Sequence, residues 1–360
     1  MVAAFELVVV GCGGGPDETN LSSYLVKSFD AAWTDGIVSL EAGSGVGTLQ
    51  RLMNSNPKLF QRENQSLESE ATASGPTAVR IYSYVSDYLI THAHSDHISS
   101  LILGGGSQFG PRKRIRALPS VVENLEQTVF NDKLWPDLAS FDDSNDSAHK
   151  YLYQPLLDDG QYTSIGNGLS ARAMPISHGC TSTGSLYEST AFFIRNDNAA
   201  KQFMFVGDVE PDSVSRKPQT RAVWREAAGL IPDQLDTIFL ECSYRASRPA
   251  ELLYGHLSPP HFAEELRALA RAVIECKRRR TSNASVRTAA DSHVETNGGI
   301  RVYVIHCKDH GVIDDNLPSS IGLSAPLPEI IAEEIRHELL NGPDLGVEVK
   351  AVHQGMCLVF

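Results

Sequence analysis

The six residues His92-Ala93-His94-Ser95-Asp96-His97 carry three imidazoles and a carboxylate. Imidazole nitrogen and carboxylate oxygen form the donor set that Zn2+ and similar divalent ions take. The segment SDYLITHAH (86–94) reads as a buried strand running into this histidine-rich loop. At a strand end, alternate residues such as His92 and His94 point to one side. Asp96 and His97, past the turn into the next helix, then point toward a second ion. Four candidate ligands directly behind an apolar run make chance clustering of surface histidines a poor account.

Two ions need more ligands, and later strand ends supply them. His178 follows ARAMPIS, Asp208 follows QFMFVG, and His306 ends RVYVIH. Each is a metal-capable side chain at the C-terminal edge of an apolar run, where a sheet presents residues to a common point. Two such ions lower the pKa of a shared water.

The glycine run Gly11-Cys12-Gly13-Gly14-Gly15-Pro16 fits phosphate chemistry poorly. Pro16 stands where a dinucleotide fingerprint has its third glycine, no helix is signalled after it, and no Lys-Ser/Thr pair follows. It reads as a turn that admits positive φ. His149, His261, His293, His310, His337 and His353 lack ligand-like neighbours and read as surface or core histidines. Cys180 and Cys307 adjoin candidate ligands and read as small packing residues.

The elements that must position these residues are short strands alternating with longer helical stretches. FELVVV (5–10), SSYLV (22–26) and GIVSLEAG (36–43) form three early strands divided by Gly, Pro and Asp turns. Later strands are expected at GLSARAMPI (168–176), TAFFIR (190–195), QFMFVG (202–207), LDTIFLEC (235–242) and RVYVIH (301–306). Helices are expected over 119–131, from Pro259 to Arg279 behind the Ser258-Pro-Pro start signal, and over 329–340. VEVKAV and MCLVF close the chain. Polar stretches at 54–80 and 280–299 read as surface insertions, and Asp132–Lys150 as irregular. The KRRR run (277–280) sits at a helix C-terminus, where solvated cations complement the dipole.

Composition narrows the function classes. The 360 residues include 31 Lys+Arg and 44 Asp+Glu, a net charge of −13, with 42% hydrophobic and 21% charged residues. That is globular usage, and the acidic balance opposes a broad grip on a nucleic acid polymer. The six cysteines lack CxxC spacing, which points to reduced thiols and a cytoplasmic location. The N-terminus has no cationic lead and carries Glu6 in its apolar run, so a strand is expected there and no signal peptide. No apolar run approaches the roughly eighteen residues of a membrane span, so no membrane partner is expected.

The HAHSDH loop followed by separate His, Asp and His resembles the metallo-β-lactamase superfamily. Within it the chain is similar to the class II cyclic nucleotide phosphodiesterases of fungi. The matching stretches are THAHSDHISS (91–100), VFNDKLWPDL (129–138), HGCTSTG (178–184), GDVEPDS (207–213), LECSYR (240–245), LYGHLSP (253–259) and VIHCK (304–308). They follow the family's order across most of the chain.

The resemblance implies an α/β fold, an αββα sandwich of two mixed sheets flanked by helices, forming a single catalytic domain over residues 1–360. It implies one metal on His92, His94 and His178, a second on Asp96, His97 and His306, and Asp208 bridging the two. Zinc is the expected ion, with manganese and magnesium as alternatives. Ser95 replaces the family's usual leucine at a position that packs rather than ligates. Glu41, in LEAGSG, stands where the superfamily usually has Asp. It is expected to orient a ligand histidine, with its extra methylene absorbed locally.

Glu241 and His256 look like the pair that protonates the leaving oxygen, an effect worth roughly 10²–10⁴ in rate. The alternative is that His256 only caps the following helix. The implied reaction is hydrolysis of 3′,5′-cyclic nucleotides, cyclic AMP with cyclic GMP not distinguished from it, to nucleoside 5′-monophosphates, which damps cyclic nucleotide signalling. Tyr187 and Tyr244 are candidates for stacking on the base, and a homodimer is implied. The rivals are a tRNA 3′-processing endonuclease, which the net charge opposes, a thioester hydrolase of the superfamily, which is generally shorter and needs no motif like YGHLSP, and a scaffold with a relict metal site, which the complete ligand set opposes.

Overall fold

The computed structural model describes residues 3–60, 77–144, 148–283, 299–308 and 325–360. The chain opens with β1 (Phe5–Gly11), β2 (Ser23–Ser28), β3 (Ile37–Leu40), α1 (Val46–Ser55), α2 (Ala78–Ser83), β4 (Val85–Leu89) and α3 (Ser95–Gly105). Next come β5 (Lys113–Arg116), α4 (Pro119–Thr128), β6 (Ala139–Ser140), β7 (Tyr151–Tyr153) and β8 (Thr163–Gly166). Two long strands, β9 (Leu169–Cys180) and β10 (Leu186–Asn196), lead to β11 (Lys201–Val206), α5 (Thr220–Ala228), β12 (Leu235–Glu241) and α6 (Pro259–Asn283). The order closes with β13 (Ile300–Ile305), α7 (Leu327–Leu340), β14 (Val347–Ala351) and β15 (Cys357–Val359).

These strands build two sheets, ordered β15-β1-β2-β3-β4-β5-β7-β6 and β14-β13-β12-β11-β10-β9-β8. The chain divides into two compact units. One comprises Met1–Ala173, Phe192–Ala200 and His353–Phe360, the other Met174–Ala191 and Lys201–Val352.

In the first unit, β1 and β2 are buried along their whole length, and the charged Glu6 and Lys27 among their residues pair at 2.8 Å. They pair antiparallel, with Leu7 opposite Val26. The sheet then turns parallel: β3 pairs β4 with Leu40 opposite Leu89, and β4 pairs β5 with Leu89 opposite Arg116. Parallel pairing aligns the carboxyl ends, so Glu41 and the His92 loop leave the sheet on the same edge. The buried Asp87 on β4 takes bonds from Arg114 Nε at 2.8 Å and Arg116 Nε at 2.9 Å, tying β4 to β5 by charge.

In the second unit, β11, β12, β13 and β14 pair parallel, with Phe205 opposite Phe239 and Glu241 opposite Ile305. That register brings Asp208, Glu241 and His306 to one carboxyl edge. Phe239 stacks on Tyr303 at 4.9 Å between ring centroids, which fixes the register from the core side. The helix α6 starts at Pro259, with the Ser258 carbonyl accepting from Phe262 N at 2.8 Å.

Several boundaries differ from the sequence expectation. The strand before the histidine loop ends at Leu89, so residues 90–94 are loop. The strand expected to stop at Ile176 continues as β9 to Cys180, and His178 lies inside it rather than after it. Helices α1 and α5 had no counterpart, since each buries only a few residues, such as Leu49 and Met53 in α1. The Asp132–Lys150 stretch contains the short β6. Of the two polar insertions, 61–76 and 284–298 lie outside the described residues, while the flanks at 54–55 and 78–80 are helical. The basic run forms part of α6, where Arg280 donates to Gly229 O at 2.5 Å. Among the described residues no helix is long and apolar enough to cross a membrane.

Candidate metal centre

In the first unit the histidine loop is pinned from behind by the segment that follows β3. Ala42 N donates to His97 O at 2.7 Å, and Ser100 N returns to Ala42 O at 2.7 Å. Gly43 permits this approach, because a Cβ there would overlap the Asp96 carbonyl. His94 is the N-cap residue of α3, which puts Asp96 in the first turn, at the positive end of the helix dipole.

The four candidate ligands of this loop gather as expected. His92 and His97 are buried, Asp96 is half-buried and His94 is exposed. His92 Nε2 lies 2.9 Å from His94 Nδ1, and His97 Nε2 lies 3.8 Å from Asp96 Oδ2. Two imidazole nitrogens facing each other this closely suit a shared divalent ion, whose ligands at 2.0–2.1 Å stand about 3.3 Å apart in a tetrahedron.

Glu41 is fully buried and faces this loop. Its Oε1 lies 3.4 Å from His97 Nδ1, and its Oε2 accepts from Thr91 N at 3.3 Å. Thr91 Oγ1 in turn lies 3.0 Å from His92 Nδ1. One carboxylate therefore reaches His97 directly and His92 through Thr91. Glu41 sits at φ 60°, a left-handed conformation uncommon for a non-glycine residue.

The second unit gathers His178, Asp208, Glu241, His256 and His306, all nearly excluded from solvent. His178 Nε2 lies 3.7 Å from Asp208 Oδ2, and its Nδ1 lies 2.8 Å from the Gly255 carbonyl oxygen. That carbonyl can only accept, so Nδ1 carries the hydrogen and Nε2 offers the lone pair. Gly255 has φ 81°, and a Cβ there would stand 3.1 Å from His178. His306 lies with Nδ1 3.3 Å from Asp208 Oδ1 and 3.0 Å from Ser243 Oγ, and it too has φ 60°.

Glu241 holds the other side of this cluster. Its Oε1 lies 2.9 Å from His256 Nδ1, and its Oε2 accepts from Ser243 Oγ at 2.9 Å. Ligand-capable atoms of Glu241, His256 and His306 all lie within 4.8 Å of one another. Burial, then the charge of Asp208, pushes the Glu241 carboxyl up to about 8, against the lowering effect of His306, a Val209 N–H bond and Lys308. His256 does not cap α6: its ring faces Glu241, Asp208 at 3.7 Å and Lys308.

Other expectations resolve simply. Tyr187 packs edge-on to His178 at 6.0 Å and Tyr244 edge-on to His256 at 5.9 Å. Gly15, at φ 75°, makes the glycine run a turn. Cys307 is buried as expected, whereas Cys180 is exposed because β9 has reached its end there. His149 lies 3.9 Å from Asp137, His261 lies 2.8 Å from Ser258 Oγ, and His293 and His310 fall outside the described residues. Lys308, whose Nζ lies 2.6 Å from His256 Nε2, lies in the matching stretch VIHCK but was given no role there. Ser243, between Glu241 and His306, lies in the matching stretch LECSYR and was likewise given no role.

Residues 6–355 match the family model of class-II cAMP phosphodiesterases. A 3′,5′-cyclic-nucleotide phosphodiesterase of Schizosaccharomyces pombe is 33% identical over 273 residues, covering 73% of this chain and 74% of the relative. 3′,5′-Cyclic-nucleotide phosphodiesterase 1 of Saccharomyces cerevisiae is 27% identical, covering 74% of this chain and 82% of the relative. Among solved structures, unliganded yeast PDE1 superposes over 100% of both chains with a TM-score of 0.78 at 23% identity. A metallo-β-lactamase fold protein of Bacillus subtilis superposes over 99% of this chain and 100% of its own with a TM-score of 0.55 at 13% identity. The two mixed sheets flanked by helices are those of the metallo-β-lactamase fold.

Proposed function

The chain belongs to the class-II cAMP phosphodiesterases, and we propose that it opens the phosphodiester ring of its substrate with two divalent ions and a Glu–His proton donor. Its activity is that of a 3′,5′-cyclic-nucleotide phosphodiesterase. The buried histidine and aspartate donors suit divalent metal. In the proposed arrangement His92, His94 and His178 hold one ion, Asp96, His97 and His306 hold the other, and Asp208 bridges them. Zinc fits this nitrogen-rich set best. The donors are in the right chemical form, since His178 keeps its hydrogen on the nitrogen facing Gly255 O.

When bound, the ions would lower the pKa of a water and draw charge off the phosphoryl oxygens. The protein's own residues do the rest. Glu41 and Thr91 orient His97 and His92, Gly255 orients His178, and Ser243 orients His306. His256 then gives a proton to O3′ as it departs, and Glu241 holds that imidazole in place. An unprotonated alkoxide leaves poorly, which is why such a donor is needed.

The observation that carries this reading is the 2.9 Å contact of His256 Nδ1 with Glu241 Oε1, in one buried cluster with Asp208 and His306. We read residues 1–360 as one catalytic domain, because the family match spans both units and β9 and β10 contribute to each. The thiols support a cytoplasmic enzyme: among the described residues, which include all six cysteines, there is no disulfide. A homodimer rests on the family likeness. The test is cyclic AMP hydrolysis before and after chelation, followed by zinc or manganese add-back. Loss and recovery of turnover are expected; turnover that survives complete metal removal would overturn the mechanism.

A further inference from the structure

Beside the donor pair stands a cation that neither the ligand set nor the proton transfer requires. Lys308 Nζ lies 2.6 Å from His256 Nε2, the nitrogen opposite the one that meets Glu241. Its backbone is fixed, since Lys308 N donates to Ser243 O at 3.0 Å. The ammonium also lies 5.9 Å from the Tyr244 ring centroid, and Arg248 Cζ lies 4.6 Å from the same centroid. Two cations therefore flank one buried ring that itself packs edge-on to His256.

A counter-charge for the buried carboxylates would be expected to sit on Glu241 or Asp208. Lys308 Nζ instead meets an imidazole nitrogen, while its charge still acts on Glu241 through space. The ammonium has three donors, and the one that meets His256 Nε2 is released once that nitrogen carries the proton meant for O3′. In a chain of net charge −13, a half-buried ammonium here is suited to an incoming anion. The anion that must come here is a phosphodiester, and lysine binds phosphate as a compact point charge.

We infer that Lys308 is a substrate-contacting residue, whose ammonium binds a peripheral oxygen of the cyclic phosphate beside the O3′ that His256 serves. This rests on the place given to His256 above. The same contact holds the phosphate of the 5′-monophosphate product, and it gives nothing to the nucleoside alone.

The test is calorimetric titration of the metal-loaded full chain with AMP and, separately, with adenosine. Lys308→Met should weaken AMP binding about tenfold or more, the scale of a lost charge-assisted hydrogen bond, and leave adenosine within about twofold. Lys308→Arg, which keeps the charge, should retain most AMP affinity, and bound metal should be unchanged in both. For cyclic AMP, kcat/KM should fall in step with AMP affinity. If AMP and adenosine weaken equally in Lys308→Met, or AMP binding is unaffected, Lys308 is not a phosphate ligand. Should Lys308→Met fail to fold by circular dichroism, Lys308→Gln reads the same contrast. A parent that binds AMP but hydrolyses no cyclic nucleotide would count against the proposed function and leave the Lys308 contrast readable.

Discussion

His256 Nδ1 and Glu241 Oε1 lie 2.9 Å apart in a site closed to solvent, at 3% and 0% exposure. A carboxylate on Nδ1 fixes the ring, so that the opposite nitrogen, Nε2, can carry the proton proposed for O3′. Replacing His256 by Ala should lower kcat for cyclic AMP by roughly 10²–10⁴. Metal content, measured by atomic absorption, should stay at the parental level. Parental turnover in His256→Ala would remove the donor role.

The loop histidines should behave differently. His97→Ala or His94→Ala is expected to lose bound metal and turnover together. The metal's contribution to folding goes with them, because an ion that binds only the folded chain stabilises it by roughly 2.7 kcal/mol at a hundredfold excess over Kd. Thermal unfolding with and without zinc should therefore show a large zinc-dependent rise in Tm for the parent and a reduced one for the variants.

Glu41 touches no ion in the proposed arrangement, yet its carboxylate stands 3.4 Å from His97 Nδ1 and accepts from Thr91 N, whose side chain meets His92. Glu41→Gln should weaken metal affinity about 10–100-fold, the usual effect of removing an outer partner of a metal-bound histidine. Competition with a chromophoric chelator measures this directly. An unchanged affinity would reduce Glu41 to a buried turn residue.

Gly255 offers a backbone test of the same idea. Its φ is 81°, and a methyl group at this position would come within 3.1 Å of His178, so Gly255→Ala must move the histidine or the turn. A destabilisation of about 1 kcal/mol or more is expected from the left-handed backbone alone. Denaturant unfolding would show it, and metal affinity should fall with it.

Lys113 gives a pH-dependent prediction away from the site. It is 1% exposed, its Nζ donates to Ser83 O at 2.7 Å, and burial lowers its pKa from 10.5 to about 8. Between pH 8 and 10.5 the unfolded chain binds more protons here than the folded one, so this residue's contribution to stability rises with pH. Below pH 8 the buried charge opposes folding fully. Lys113→Met should raise Tm at pH 7, and the gain should shrink toward pH 10.5. A gain that does not vary with pH would contradict it.

Much of the site was legible because metal chemistry restricts side-chain types. His92, His94, Asp96 and His97 lie within one loop, and Asp208 and His306 follow apolar runs that became β11 and β13. The boundaries were less legible. His178 proved to lie inside β9, since the polar Ser177-His178-Gly179 breaks the apolar pattern without ending the strand's pairing. Lys308 and Ser243 lie in the quoted stretches VIHCK and LECSYR, but their contacts depend on register across β12 and β13, which no local pattern encodes. Helices α1 and α5 escaped notice because each is short and buries a narrow face.

Glu41 and His306 both hold their chemistry on a left-handed backbone that glycine or asparagine would occupy more comfortably. Thermal robustness and turnover therefore pull against each other at these two positions. A redesign scored on the melting temperature of the metal-free chain would be drawn to replace them early, at the expense of the metal affinity they support.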